Sequence, residues 1–379
     1  MRSFTLPPGF SASSLPHTSA PSGSTTRRSL TTGVSPIKSS TVRAGAVSIS
    51  VNTEYSETTE AVPVSQSNER ALVVFPGALG DFLCFLPALV AFAQRVRETI
   101  LLARSDWTVI LDHPRIVSWS IEHPALTWLY RNDFFREEWI ERFGRFDVAY
   151  SWSGFGDRQF TNNLDAAVET RAFVFRFRAF EEGEHASEYY ARCLGLEPAS
   201  RETVQQCLRV ASPRNALEKG QRLAPTLFIH PGSGAERKNW RGFPNLARLW
   251  RARTGGRIVV ALGPTELERG VAAIDADESL VARPLPEVAG FLQDATLFVG
   301  NDSGISHLAA LLGIPGLVLL SRHTRAEHWH PRSPTIEWVQ ANHQCDLCGP
   351  EVFCDHVLPA EQVWCHLEAV YERIRSPKV

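Results

Sequence analysis

The chain has 379 residues, 44% of them hydrophobic, and its 39 Lys and Arg against 41 Asp and Glu leave a formal net charge of −2. That length accommodates two ordinary domains, and the balanced charge argues against nucleic acid as the main partner. No run of about 18 or more apolar residues is present, so no transmembrane helix is expected and any membrane contact would be peripheral. The seven cysteines (Cys84, Cys193, Cys207, Cys345, Cys348, Cys354 and Cys365) are an odd number in a fairly large chain, unlike a secreted disulfide framework; a reducing cytosol is expected.

Residues 1–68 are rich in Ser, Thr and Pro and carry no acidic residue before Glu54. Such a segment does not fold alone, and a disordered tail is the preferred reading. No continuous apolar stretch of a secretory signal is visible; a Ser-rich, acid-poor, Arg-containing leader also fits an organelle transit peptide, the less favoured alternative.

From Arg70 short apolar runs alternate with helical segments, the pattern of a parallel sheet covered by helices. The first stretch has strand ALVVF (71–75), the turn PGALGD, the apolar helix FLCFLPALVAFAQRV, then strands TILLAR (99–104) and FDVAYSW (146–152). Its helix is apolar almost all round and should be buried, with Phe82, Phe85 and Leu89 in the core, and Pro87 predicts a kink or a late start. Between Trp107 and Phe143, where Trp119, Trp128 and Trp139 also fall, no elements are assigned.

A polar stretch interrupted by Pro198, Pro213 and Pro225 separates this half from a second one. The second has strand TLFIH (226–230), a helix around Phe243–Arg253, strand RIVVALG (257–263), a helix after Pro264, and LFVGNDSGISHLAALLGIP (297–315). The resulting division is a tail at 1–68, a Rossmann-like domain at 69–205, a linker at 206–225 and a second Rossmann-like domain at 226–379. Two such halves place the loops at the carboxyl ends of both sheets around one cleft.

In the last block, strand Leu297–Val299 delivers Gly300 to Gly304 to a helix start, whose free N–H groups favour an anion. Asp302, Ser303 and His307 can face one ligand there, although a plain N-cap has the same pattern. In the first half, Gly77, Gly80 and Asp81 sit at a helix mouth. They match neither a P-loop nor the dinucleotide fingerprint. Asp81 suits either a general base or a helix cap. HPGSGAERKNW places Ser233 in a glycine loop, with Lys238 within reach of the same space and Arg237 and Arg241 as alternatives. A fixed cation there stabilises a departing diphosphate. Glu266 and Glu268, after a strand end, are candidate ribose acceptors or merely first-turn acids. CDLCGPEVFC (345–354), with Cys365 and His343, His356 and His366 near, lacks the usual second ligand pair, so reduced thiols rather than a metal are expected.

Taken in this order, PGALGDFLCFLPAL, HPGSGAERKNW, VGNDSGISHLAALLGIP and the terminal cysteine stretch leading to EQVWCHLEAVYERI resemble glycosyltransferase family 9, the ADP-heptose:lipopolysaccharide heptosyltransferases and their relatives. The resemblance runs from about Arg70 to Arg375. It implies an α/β, GT-B architecture of two Rossmann-like domains facing a central cleft, with the last helix packing back on the N-terminal domain. It also implies an inverting transferase that needs no metal or cofactor. Asp81 would take the proton of the acceptor hydroxyl, Ser233 and Lys238 would contact phosphate, and Asp302, Ser303, Gly304 and His307 would hold the nucleotide diphosphate. The ribose-binding acid is ambiguous between Glu266 and Glu268. The loop before Lys238 is one residue longer than the family pattern, and the leader has no counterpart.

The expected function is transfer of a sugar, heptose by resemblance, from a nucleoside diphosphate such as ADP-heptose to a cell-envelope glycan or lipopolysaccharide-type acceptor. The expected location is the cytoplasm, with peripheral contact at the inner face of the membrane. A nucleotide-sugar epimerase or hydrolase and a non-catalytic binding relative are the alternatives.

Overall fold

The computed structural model describes residues 67–211, 224–270 and 273–376. Residues 1–66 of the expected tail and most of the expected linker lie outside these. The first half runs β1 (Arg70–Val74), α1 (Leu79–Ala93), β2 (Glu98–Ala103), α2 (Ser105–Thr108), β3 (Ile116–Ser120), α3 (Pro124–Leu129), α4 (Arg136–Phe143), β4 (Phe146–Ser151), α5 (Arg158–Ala166) and β5 (Val168–Val174), followed by α6 (Ala186–Cys193) and α7 (Arg201–Gln205). The second runs β6 (Thr226–His230), a 3-10 turn at Glu236–Lys238, α8 (Phe243–Thr254), β7 (Arg257–Leu262), α9 (Pro264–Arg269), β8 (Glu278–Val281), α10 (Leu285–Asp294), β9 (Leu297–Asn301), α11 (Gly304–Leu312), β10 (Gly316–Leu320), α12 (Ala326–Trp329), β11 (Ile336–Gln340) and α13 (Ala360–Arg375).

Two sheets result, ordered β3-β2-β1-β4-β5 and β11-β10-β9-β6-β7-β8, and every pairing given by their registers is parallel. Central strands of such sheets are covered on both faces, which is why Leu72 to Val74 and Leu317 to Leu320 are continuous apolar runs. In each sheet the chain moves outward and then returns to the other side of its first strand, so the order reverses between β1 and β4 and between β6 and β9. Ligands of open α/β sheets bind at the carboxyl ends of strands beside such reversals.

The helix α1 is buried around most of its circumference, as its all-round apolar sequence demands. It runs through Pro87 without ending, and the Pro87 carbonyl accepts a bond from Ala199 N at 3.0 Å. The tryptophan-rich stretch is mainly structural: Trp128 and Trp139 are buried with Leu72, Val74 and Phe146 on the outer face of the first sheet. The last helix does not follow expectation. Val363, Trp364, Leu367 and Val370 of α13 join the core on the outer face of the second sheet, against α8 and β10. Their apolar spacing specifies a buried stripe, which the nearby sheet satisfies without a return to the first half. No helix among the described residues is long and apolar enough to cross a membrane.

One apolar core passes through both halves, from Val73, Phe75 and Phe85 to Phe298, Leu308 and Val318. Within it α1 packs on α11. The approach is closest at the helix starts, where a Cβ on Gly304 would meet Leu79 Cγ at 2.5 Å and Leu79 Cβ at 2.7 Å, whereas one on Gly80 would lie 3.5 Å from His307 Cδ2, an ordinary contact. Gly304→Ala should therefore cost about 1–3 kcal/mol through overpacking. Gly80→Ala should be near neutral, since it adds only a permitted contact and a better helix former. Urea midpoints of the two variants check this; equal stability would remove close packing as the reason for Gly304.

The halves are also latched by polar contacts. Gln205 Nε2 donates to Leu311 O at 2.7 Å, and Arg332 pairs with Glu188 at 2.6 Å. His185, buried at the N-cap of α6, accepts from Ser187 N through Nδ1 at 3.2 Å and donates from Nε2 to His330 O at 2.9 Å. That pair of bonds requires the neutral ring with the proton on Nε2. Burial first, then the Arg332 charge, lowers its pKa from 6.5 to about 3. Because the unfolded ring takes up a proton first, this contribution is fully present above pH 6.5 and is lost as pH falls toward 3, by up to about 1.4 kcal/mol per pH unit. His185→Asn keeps a capping side chain and should flatten the fall of the urea midpoint between pH 7.5 and 5. An unchanged slope would exclude His185 as its source.

Candidate active site

The wall contributed by the second half is built from the end of β9. Asn301 is wholly buried; its Oδ1 accepts Trp240 N at 3.0 Å and its Nδ2 donates to Pro231 O at 2.7 Å, tying the loop after β6 to the end of β9. Ser303 caps α11, accepting Ser306 N, and the Ser306 hydroxyl donates to Asn301 O at 2.5 Å. These bonds hold Asp302 in place. Asp302 Oδ2 accepts from Lys238 Nζ at 2.6 Å and from Thr324 Oγ1 at 2.9 Å. Lys238 keeps a quarter of its side chain exposed while Asp302 keeps 8%. The ammonium has three donors, so this pair leaves it two for an incoming anion.

Across from this wall, Asp81 lies in the first turn of α1 and is 3% exposed. Arg178, which follows β5, grips it: Nε and Nη2 donate to Oδ1 at 3.1 and 2.9 Å, and Nη2 to Oδ2 at 2.8 Å. With two lone pairs on each carboxylate oxygen, Oδ1 is filled and Oδ2 keeps one free position. The guanidinium also lies 5.1 Å from the ring centroid of Trp329 in the second half. His307 connects the two walls. It is buried, burial lowers its pKa, and the carboxylates of Asp302 and Asp81 oppose that shift. Its Nδ1 is 3.6 Å from Cys84 Sγ, whose thiol burial keeps protonated.

Ser233 is turned into its own loop: its hydroxyl donates to Ala235 O at 2.7 Å. Glu266 is buried at the start of α9, accepts Gly263 N at 2.8 Å, and fills the space that a side chain on Gly232 would need. Glu268 is exposed. Of the two acids, Glu266 therefore lies beside the glycine loop and Glu268 faces solvent. Beneath it, His230 bonds Ala261 O at 3.0 Å, with its pKa lowered by burial against the pull of Glu266. A cavity of about 290 Å³ opens along the same loop, lined by Glu236, Trp240, Arg241, Arg269 and Ile274.

The structure therefore joins Lys238 to Asp302 and brings His307 toward Asp81, while Ser233 and Glu266 form a separate group along the loop after β6. Sequence reasoning missed Arg178, Thr324 and Cys84. Arg178 follows a strand end, which was the available signal, but nothing in the sequence pairs it with a carboxylate 97 positions away. The terminal cluster is tighter than expected: Cys345, Cys348, Cys354 and His356 place their ligand atoms within 4.8 Å of one another, without Cys365, His343 or His366.

Residues 186–351 match the family model described as "Glycosyltransferase family 9 (heptosyltransferase)". No curated protein matches the sequence. Among solved structures, the family 9 glycosyl transferase from Veillonella parvula DSM 2008 is similar with a TM-score of 0.60 and 15% identity, over 83% of this chain and 100% of that one. The E. coli heptosyltransferase WaaC with ADP is similar at 0.55 and 19%, over 79% and 99%. The iron-containing dodecameric glycosyltransferase TibC from enterotoxigenic E. coli H10407 is similar at 0.53 and 15%, over 82% and 78%. At these identities the structural likenesses establish the fold, a GT-B architecture, and the family model identifies a glycosyltransferase family 9 domain within residues 186–351.

Proposed function

We propose that the chain is an inverting glycosyltransferase that moves a sugar, heptose in the first instance, from a nucleoside diphosphate to a glycan hydroxyl without a catalytic metal. The observation that carries this is the placement of a buried carboxylate, Asp81, at the start of α1, while the Lys238–Asp302 pair stands at the start of α11 and the two helix starts touch. In this reading the free position on Asp81 Oδ2 takes the proton of the acceptor hydroxyl as its oxygen bonds the anomeric carbon. The bond from that carbon to the diphosphate oxygen breaks in the same step, inverting the centre.

Lys238 and the first N–H groups of α11 stabilise the charge that develops on the diphosphate. Asp302 and Thr324 keep the ammonium in place, and Arg178 keeps Asp81 oriented. Ser233 and Gly304 lie on the phosphate path and Glu266 beside the ribose. His307, held neutral by burial, orients the two walls. WaaC was solved with ADP, which supports an adenine nucleotide donor here. The acceptor is proposed to be a lipopolysaccharide-type glycan met in the cytoplasm at the inner membrane face.

With a nucleotide sugar and acceptor in hand, Asp81→Asn should lower turnover by about 10²- to 10⁴-fold while the variant still unfolds cooperatively above the assay temperature. Near-normal transfer would remove Asp81 as the base. Lys238→Ala should cost about 10²- to 10³-fold in kcat, as loss of one charge-stabilising donor does. Release of free nucleotide at the full rate in the absence of acceptor would instead identify a hydrolase or epimerase.

A further inference from the structure

Between β11 and α13 the chain makes a long excursion, residues 341–359, containing no helix or strand beyond the bridge of Cys345 to Gly349. Segments of that length without regular structure need another constraint inside a compact domain. Here four soft ligands converge. His356 Nδ1 is 3.5 Å from Cys348 Sγ and 3.9 Å from both Cys345 Sγ and Cys354 Sγ. A tetrahedral ion with metal–sulfur bonds near 2.3 Å and metal–nitrogen bonds near 2.05 Å separates S and N by about 3.6 Å. The observed spacing agrees within a few tenths of an ångström.

The local backbone has the form such a site requires. Cys348 N donates to Cys345 Sγ at 3.2 Å, a bond that favours a thiolate, and Gly349 N returns to Cys345 O at 3.0 Å. Gly349 has φ +95° with open space around it, so the left-handed turn rather than crowding requires the glycine. Cys345 and Cys354 are buried and Cys348 and His356 close the outer side. All seven cysteines are free thiols.

We propose that Cys345, Cys348, Cys354 and His356 bind one thiolate-preferring tetrahedral divalent ion, zinc or iron(II), which staples this excursion against the loop carrying Lys238. Binding displaces the thiol protons to solvent and leaves three thiolates and a neutral imidazole on the ion. The staple reaches the loop through named bonds: Arg241 N donates to Phe353 O at 2.9 Å, Trp240 Nε1 donates to Leu358 O at 3.0 Å, and Asn245 bonds Asp355. Trp240 N in turn bonds Asn301, beside Asp302. Only this last coupling to Lys238 rests on the proposed transferase reading; the ion site stands without it.

Elemental analysis of the full chain, purified under reducing conditions without added metal, should find one equivalent of zinc or iron, and the element found distinguishes the two. Cobalt(II) exchanged into the site should give thiolate charge-transfer absorption and the visible bands of tetrahedral coordination. Cys348→Ser and His356→Ala alter exposed side chains; each should lose the equivalent and lower the melting temperature, while Cys365→Ser retains both. Amide exchange at Trp240 and Arg241 should quicken in Cys348→Ser. Substoichiometric metal with no cobalt–thiolate absorption, or a Cys345–Cys348 disulfide, would overturn the site. A bound ion whose loss leaves Trp240 and Arg241 exchange unchanged would overturn the staple. None of these readings depends on turnover.

Discussion

The contact on which the rest depends is the meeting of two helix starts that belong to different sheets. Helix α1 leaves β1 beside one strand-order reversal and α11 leaves β9 beside the other, so each carries its polar residues to the carboxyl edge of its own sheet. Glycine at 304 lets Leu79 lie against the α11 backbone. Bulk at 304 would part the helices, and with them the helix starts that carry Asp81 and Asp302.

Much of this was legible in the sequence. Continuous apolar runs followed by glycine and polar residues specify buried parallel strands feeding helix starts, and β1, β6, β7 and β9 fall close to where that pattern puts them. The segments that resisted are those whose side chains serve distant partners. Trp128 and Trp139 show no clear period because they fill the irregular space over the outer face of the first sheet. Spacing could not separate Glu266 from Glu268, since both fall in one helical segment. The difference is a tertiary one: Glu266 fits where Gly232 has no side chain. Arg178 reads as one of several basic residues in RFRAF until the fold returns it to Asp81.

Burial organises the charges around the cleft. His185, His230 and His307 are all inside and all have depressed pKa values; His185 bonds His330 O and His307 lies against Cys84 across the joint between the halves, while His230 bonds Ala261 O within the second half. The ionised groups are paired instead: Asp81 with Arg178 and Asp302 with Lys238. Leaving either carboxylate buried and unpaired would cost several kcal/mol, so each partner supports the fold as well as the chemistry. The two pairs differ in what they leave available. Arg178 saturates one oxygen of Asp81, whereas Lys238 keeps two of its three donors for another ligand.

In the proposed reading the start of α11 with Lys238 forms the nucleotide wall and Asp81 the opposite one. Calorimetric titration of ADP into the wild-type chain, Lys238→Ala and Asp81→Asn tests it most directly. The wild type should bind, Lys238→Ala should bind at least about tenfold more weakly, a loss of some 1.4 kcal/mol, and Asp81→Asn should keep its affinity. Equal affinity in all three, or a loss confined to Asp81→Asn, would contradict it.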